Sequence, residues 1–397
     1  MKKFLILILL LPTLCFAQKR TLSKYAEIRV LTCGPYQGEL YSAFGHSAIR
    51  VHDPMKGYDM VYNYGIFDFD QPNFYLNFAR GYLNYKLAVQ EYRNFKYAYV
   101  YYNRFIHEQI LNLDQEQKQK LFDYLQWNAK PENQYYYYDY FYNNCATKVR
   151  DALKATFKDD LQFDGSYIST DYTIRDLTHI YLEQQPWGEL GIDICLGLPM
   201  DSVATPEMYM FLPDYIEQGF NHASIMKNGR LEPLVKKTIV TNKAQPQEDQ
   251  ASTITPLIVF GLLLLAGIII SVIGYRKDKG YFLFDVILFS VIGLVGWLLL
   301  ILWVATDHHA AARNFNLLWA IPLHFPLALF LLKKNIPDFL RIYFQASCLV
   351  NLVLLITWAF LPQNIHYSLI PLIILLLGRS YYIQRYLSFE RDEDESV

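Results

Sequence analysis

From residue 254 to residue 274 an apolar run carries no charged side chain, and further apolar runs follow at 281–305, 317–332, 342–361 and 365–383. Stretches of this length and composition cross a bilayer only as helices. Lipid offers no partner to an unpaired backbone N–H or C=O. Residues 253–385 are therefore read as an all-α transmembrane helical bundle, and residues 386–397 as a cytoplasmic acidic tail. Five spans is the reading adopted. Four is the alternative, because the third run holds Pro322 and Pro326 and the fifth is short.

The other end of the chain sets the orientation. Residues 1–17 have the pattern of an export signal, with Lys2 and Lys3, an apolar segment over 4–11 and a small-residue cleavage site over 15–17. That segment is too short to span a bilayer. A lipoprotein signal acylated at Cys15 is disfavoured, because Leu14 is a poor residue in front of an acylated cysteine. Export places residues 18–252 on the periplasmic side of a bacterial inner membrane, ahead of a multi-pass anchor. The loop charges agree: Arg276, Lys277 and Lys279, then Lys333, Lys334 and Arg341, then Arg379 and Arg385 fall inside. The outside loops at 307–316 and 362–367 hold only Arg313.

The exported segment, 18–242 followed by a polar linker over 243–252, is long enough for one sizeable core. A formal net charge of −2 gives no argument for nucleic acid. After signal removal the segment keeps Cys33, Cys145 and Cys195, an odd number in an oxidising compartment. At least one thiol stays unpaired. Cys33 and Cys195 are a possible pair, leaving Cys145; three buried, reduced cysteines are the alternative.

Alternation predicts strands at 27–31, 47–51 and 60–64, the last two joined through Asp53, Pro54 and Gly57 as a hairpin. A helical turn is expected over 40–44, a helix over 74–79, strands over 86–92 and 98–102, and a polar–apolar edge over 108–113. Residues 114–128 read as a helix, with Asp114 and Gln117 as a capping box and Leu121, Phe122 and Leu125 on one face. A second helix follows Asn144, its apolar face marked by Val149, Leu153 and Phe157. Residues 160–235 read as loop-rich. The 33 tyrosines, four of them consecutive at 135–138, suit a half-wet surface, an acyl-chain groove or a headgroup layer.

Two motifs carry chemistry, GHSAIRV (45–51) and NNCATKVRD (143–151). Asn144 is a good N-cap, so Cys145 falls in the first helical turn. There the helix dipole and free N–H groups favour a thiolate. The N–H of Cys145 would also be free to serve an oxyanion. His46 is the candidate base, with Gly45 allowing another backbone to approach closely; His52 sits in an apparent turn. Asn63, on the partner strand of the hairpin, can accept from the imidazole and fix its tautomer. Asp68 and Asp70 are the alternatives. Tyr36 or Tyr41 is a candidate oxyanion donor. His308, Asn314 and Asn316, in an outside loop with His309, are candidates for holding a lipid headgroup or a substrate terminus. Adjacent histidines cannot readily share a metal, and no Cys or Glu stands at ligand spacing, so neither metal nor cofactor is expected. No phosphate-binding glycine loop and no GxSxG elbow is present.

A histidine-bearing strand before a cysteine at a helix start resembles the permuted papain-like, NlpC-like order of the lecithin:retinol acyltransferase group. More closely, the chain resembles the Lnb family of Bacteroidota lipoprotein N-acyltransferases. The residues that carry this are GHSAIRV, VYNYGIFDF (61–69), NFYLNFARG (73–81), YYDYFYNNCATKVRD (137–151) and TDHHAAARNFNLLW (306–319). The resemblance implies an α+β exported domain with Cys145 as nucleophile and His46 as its base. It also implies a phospholipid as acyl donor and a diacylated lipoprotein as acceptor. Two other readings stay open: an envelope cysteine amidase or peptidase acting on peptidoglycan, and a non-catalytic envelope module.

Overall fold

The computed structural model describes residues 20–67, 70–245 and 253–394. The export signal with Cys15, Asp68, most of the linker and residues 395–397 lie outside the described residues. Three strands open the exported domain as an antiparallel meander: β1 (Glu27–Cys33), β2 (His46–Asp53) and β3 (Tyr58–Ile66). Side chains alternate along each strand, so Ile28, Val30, Ile49, Val51, Tyr62 and Tyr64 pack to one face. Leu31, Cys33, Ala48 and Val61 pack to the other. Both faces are buried, so the polar residues that alternate with the apolar ones, such as Arg50 and Asn63, are buried as well.

Next come α1 (Phe74–Arg80), β4 (Asn84–Glu91), α2 (Tyr92–Tyr101), β5 (Ile106–Leu111), α3 (Gln115–Asn128), β6 (Tyr135–Tyr137) and α4 (Cys145–Phe157). After them lie β7 (Leu161–Phe163), α5 (Ile174–Leu182), α6 (Pro186–Cys195), α7 (Pro206–Tyr209), α8 (Pro213–Asn221), β8 (Ala223–Lys227), β9 (Arg230–Pro233) and β10 (Val235–Asn242). The main sheet has the order β10-β5-β1-β2-β3-β4-β6, and β7-β8-β9 form a small second sheet. Helices α3 and α4 cover one face of the main sheet through Leu121, Phe122, Leu125, Val149, Leu153 and Phe157. Each such side chain contributes roughly 1.5–3 kcal/mol on burial. Helix α2 covers the other face with Tyr92 and Phe95.

Three expectations fail here. Residues 98–102 are the end of helix α2, not a strand: Tyr92, Phe95 and Tyr99 recur at helical spacing, and burial of the first two overrides an aromatic, β-prone composition. Strand β5 is interior, flanked by β1 and β10, rather than an edge. Residues 160–235 are largely ordered as short helices, three of which begin with proline at Pro186, Pro206 and Pro213, where its missing N–H costs nothing.

The C-terminal part is helical: α9 (Pro256–Lys277), α10 (Leu283–Val304), α11 (His324–Ala328), α12 (Phe339–Thr357) and α13 (Ile370–Asp394). Among the described residues three segments are long and apolar enough to cross a membrane, Pro256–Lys277, Leu283–Val304 and Phe339–Phe360. The 317–332 run is not one helix. It breaks around Pro322 into a 3₁₀ turn (Phe315–Leu318), α11 and a second 3₁₀ turn (Leu329–Leu332). This irregular backbone is packed hard on α10, where a Cβ on Gly293 would lie 2.1 Å from the Phe325 nitrogen and one on Gly296 2.0 Å from the Ala320 oxygen. Non-helical backbone is tolerated at such depth when protein surrounds it. Arg379 is no loop charge either. It is buried within α13 and makes a bidentate pair with Asp285, both bonds at 2.6 Å. Helix α13 itself continues through most of the stretch read as a tail.

Candidate active site

Helix α4 starts where its sequence dictates. The Asn144 side chain accepts the Thr147 N–H at 2.9 Å, and the Thr147 hydroxyl accepts the Asn144 N–H at 2.8 Å. This capping box is worth about 1 kcal/mol. The Asn144 amide also donates to the carbonyls of Tyr140 and Phe211, at 2.9 and 2.8 Å, which anchors the helix start to its surroundings. Cys145 is the first helical residue and is 9 % exposed.

His46 is the first residue of β2 and pairs in register with Cys33. Gly45 before it has φ +79°, and a Cβ there would stand 2.8 Å from the Cys33 oxygen, so only glycine fits. The imidazole Nε2–H donates to Asn63 Oδ1 at 2.6 Å. With Nε2 committed, Nδ1 is the nitrogen left for the thiol, and the Cys145 and His46 side chains are hydrogen-bonded. Pairing of β3 with β4 shifts register between Asn63 and Ile66, a bulge centred on Gly65 at φ +87°. A Cβ on Gly65 would lie 3.4 Å from Cys145 Cβ and 3.4 Å from the Tyr138 ring. The bulge lets α4 reach past the strand end, so a thiol from one face of the sheet meets an imidazole from the other.

Burial alone would raise the Cys145 pKa. The charge of His46, its hydrogen bond and the backbone N–H groups of Ser47 and Ala146 outweigh burial and hold the thiol below its usual range. Burial likewise works against a charged His46, and the Cys145 charge with hydrogen bonds to Cys145 and Asn63 raises it. Both shifts favour a thiolate beside an imidazolium. Burial pushes the Cys33 and Cys195 thiols the other way, upward, and both are free rather than disulfide-bonded. Their positions explain the lack of a bond: Cys33 lies under α2, whereas Cys195 ends α6 against the helical bundle.

The remaining candidates separate. His52 lies within β2, paired with Glu27 and Asp59, rather than in the turn, and its ring is 3.5 Å from Asp59. Asp70 stands in the turn before α1, while Asn63 takes the imidazole N–H. Tyr41 is exposed, and a hydrogen bond with Glu39 and burial push its hydroxyl up to about 12. The Tyr36 ring lies tilted against Tyr102, with centroids 5.1 Å apart. Asn314 and Asn316 are corrected. Both are buried, and their amides donate to the Ile194 carbonyl at 2.7 and 3.2 Å, tying the bundle's outer loop to α6. Asn316 Oδ1 accepts from the Trp319 indole at 2.9 Å, which leaves nothing for a headgroup. His308 Nε2–H donates to the Phe78 carbonyl at 3.1 Å.

Sequence reading missed Gly65, whose signal was the glycine closing an alternating strand, and the Ser47 N–H, a backbone group that no side-chain pattern reveals. It also missed Tyr99, stacked 6.4 Å from the His46 ring centroid. Among the described residues no three His, Cys, Asp or Glu side chains are grouped to hold a metal ion.

The docking of this domain on the bundle is close. Gly197 N–H donates to the Ala310 carbonyl at 2.7 Å, and buried Arg175 ties Asp193, Asp201 and the Leu196 and Gly197 carbonyls into one platform. Fold and site together define a membrane protein with a periplasmic α+β domain built around a cysteine–histidine–asparagine row. The model of the Lnb N-terminal periplasmic domain matches residues 19–179, and that of the Lnb transmembrane domain matches residues 247–389. The chain belongs to the Lnb family. No curated protein and no solved structure matches it.

Proposed function

We propose that this protein is a lipoprotein N-acyltransferase of the inner membrane, working through a thioester on Cys145. The observation that carries the proposal is the pairing of an acidified thiol with a raised-pKa histidine, oriented by Asn63, in a periplasmic domain docked on membrane helices. The Cys145 thiolate attacks the ester carbonyl of a phospholipid. The C–O bond breaks and the His46 imidazolium protonates the leaving alcohol, giving a lysophospholipid and an acyl thioester. The α-amine of a diacylglyceryl-cysteine then attacks the thioester and His46 takes the amine proton. The C–S bond breaks, an amide forms and the thiolate–imidazolium pair returns. N–H groups at the start of α4 stabilise both tetrahedral oxyanions.

Mass spectrometry of a lipoprotein N-terminus tests this in cells depleted of the protein. N-acylation returns with the wild-type chain and not with Cys145→Ser. Full N-acylation with Cys145→Ser contradicts the proposal, and peptidoglycan cleavage without acyl transfer favours an amidase.

A further inference from the structure

The two ends of the main sheet are not alike. At one end Cys33 faces His46 and Ile106, Ile106 faces Asn242, and Ile66 faces Lys86. Cys145 lies at this end, and the chain leaves β10 here, at Asn242, toward the bundle. The 53–58 turn marks the opposite end.

The loop after α10 docks on the site end. Asp307 N–H donates to the Arg80 carbonyl at 2.9 Å, His308 binds the Phe78 carbonyl at 3.1 Å, and a Cβ on Gly81 would lie 2.9 Å from the Asp307 carbonyl carbon. Helix α10 ends at Val304, so three residues, spanning at most about 10 Å, separate a membrane-length helix from α1. Helix α1 is thereby held close to the end of α10.

No residue of α1 is buried, and Tyr75, Leu76 and Phe78 are 78, 56 and 42 % exposed. Tyr41, Tyr101 and Tyr102 extend the exposed rim. Tyrosine suits the headgroup level, with its ring in the apolar zone and its hydroxyl in water. An adjoining aliphatic and phenyl pair suits the layer just beneath. A continuous wall of rings runs inward from α1. Phe74 and Phe67 lie 6.2 Å apart, Phe67 and Tyr85 5.1 Å, and Tyr85 and Tyr138 4.5 Å. Tyr138 then meets Gly65, beside Cys145.

We infer that α1 and this rim form a monotopic lipid contact, with Tyr75, Leu76 and Phe78 entering the periplasmic leaflet. An ester at the boundary of headgroup and acyl chain then reaches Cys145 along the aromatic wall without leaving the bilayer. The contact rests on exposure and topology; the delivery of an ester also rests on the acyl-transfer proposal.

The test uses the full chain in phosphatidylethanolamine–phosphatidylglycerol nanodiscs, with photoreactive benzoylphenylalanine replacing Leu76. In a control it replaces Met55, which is 67 % exposed at the far turn. Irradiation is expected to give at least tenfold more phospholipid adduct at 76 than at 55. Equal yields, or none at 76, overturn the lipid contact. In a second arm Leu76→Glu slows acyl-thioester formation from nanodisc phospholipid at least tenfold while iodoacetamide alkylates Cys145 at the wild-type rate. Unchanged thioester formation in that variant overturns delivery by α1. A wild-type chain that forms no thioester refutes the acyl-transfer proposal and delivery with it, and the crosslinking result then decides the contact alone.

Discussion

Two charged clusters belong to one sheet, one on its α2-facing side and one across its end, and they are finished differently. Glu108 is fully buried and its carboxylate is saturated. Arg29 donates to it at 2.8 Å, Arg50 at 2.8 and 3.1 Å, Thr241 at 2.8 Å, and Tyr92 completes the set. Arg50 is itself shared with Asp59, at 2.7 and 2.8 Å. Burial would raise the Glu108 pKa, yet these donors hold it below its usual range. The Cys145–His46 pair has a lowered acid too, but it ends at a strand terminus, where Cys145 is 9 % exposed. A charge whose every lone pair is taken can only hold structure, whereas one with an open side can attack. The difference between the clusters is one of completeness rather than of charge.

That comparison can be broken from either side. The largest effect is expected from Cys145→Ala, which removes the nucleophile: thioester formation and N-acylation fall at least about 10⁴-fold, with the melting temperature little changed. His46→Gln comes next, with a loss of roughly 10²–10⁴-fold. Its signature is the pH profile of Cys145 alkylation. In the wild type the rate climbs through a pKa below the ordinary thiol range. Without the imidazolium, burial prevails and the climb moves to higher pH. An unmoved profile in His46→Gln contradicts the pairing.

On the saturated side, Glu108→Ala leaves Arg50 only Asp59 and Arg29 only Glu27, and costs about 3–5 kcal/mol in chemical denaturation. Folded protein keeps the wild-type alkylation profile. A shifted profile there would mean that the two clusters are coupled. Asn63→Ala is expected to have the smallest effect, roughly ten- to a hundredfold in turnover, as His46 loses its tautomer lock. Its melting temperature separates that role from simple loss of packing.

Local chemistry was legible in the sequence. Asn144 with Thr147 announces the start of α4, Gly45 announces a close backbone approach, and alternation on either side of Pro54 places Asn63 across from the His46 strand. What the sequence hid depends on tertiary context. Aromatic, β-prone residues at 92–101 became a helix because one face of the sheet needed a cover. The bulge at Gly65 makes sense only once α4 is seen pressing on it. Asn314 and Asn316 look like free polar residues in an outside loop until the Ile194 carbonyl is found between them. Arg379 reads as a loop charge because its partner, Asp285, is 94 residues away.

The most direct test of the account is the fate of Cys145 when phospholipid is the only acyl source. The full chain is placed in phospholipid nanodiscs without acceptor, digested and analysed by mass spectrometry. One acyl chain is expected on Cys145, released by neutral hydroxylamine, consumed when a diacylglyceryl-cysteine peptide is added, and absent from Cys145→Ala. A Cys145 that stays unacylated in the wild type, while iodoacetamide still modifies it below the ordinary thiol range, would contradict the proposed acyl transfer.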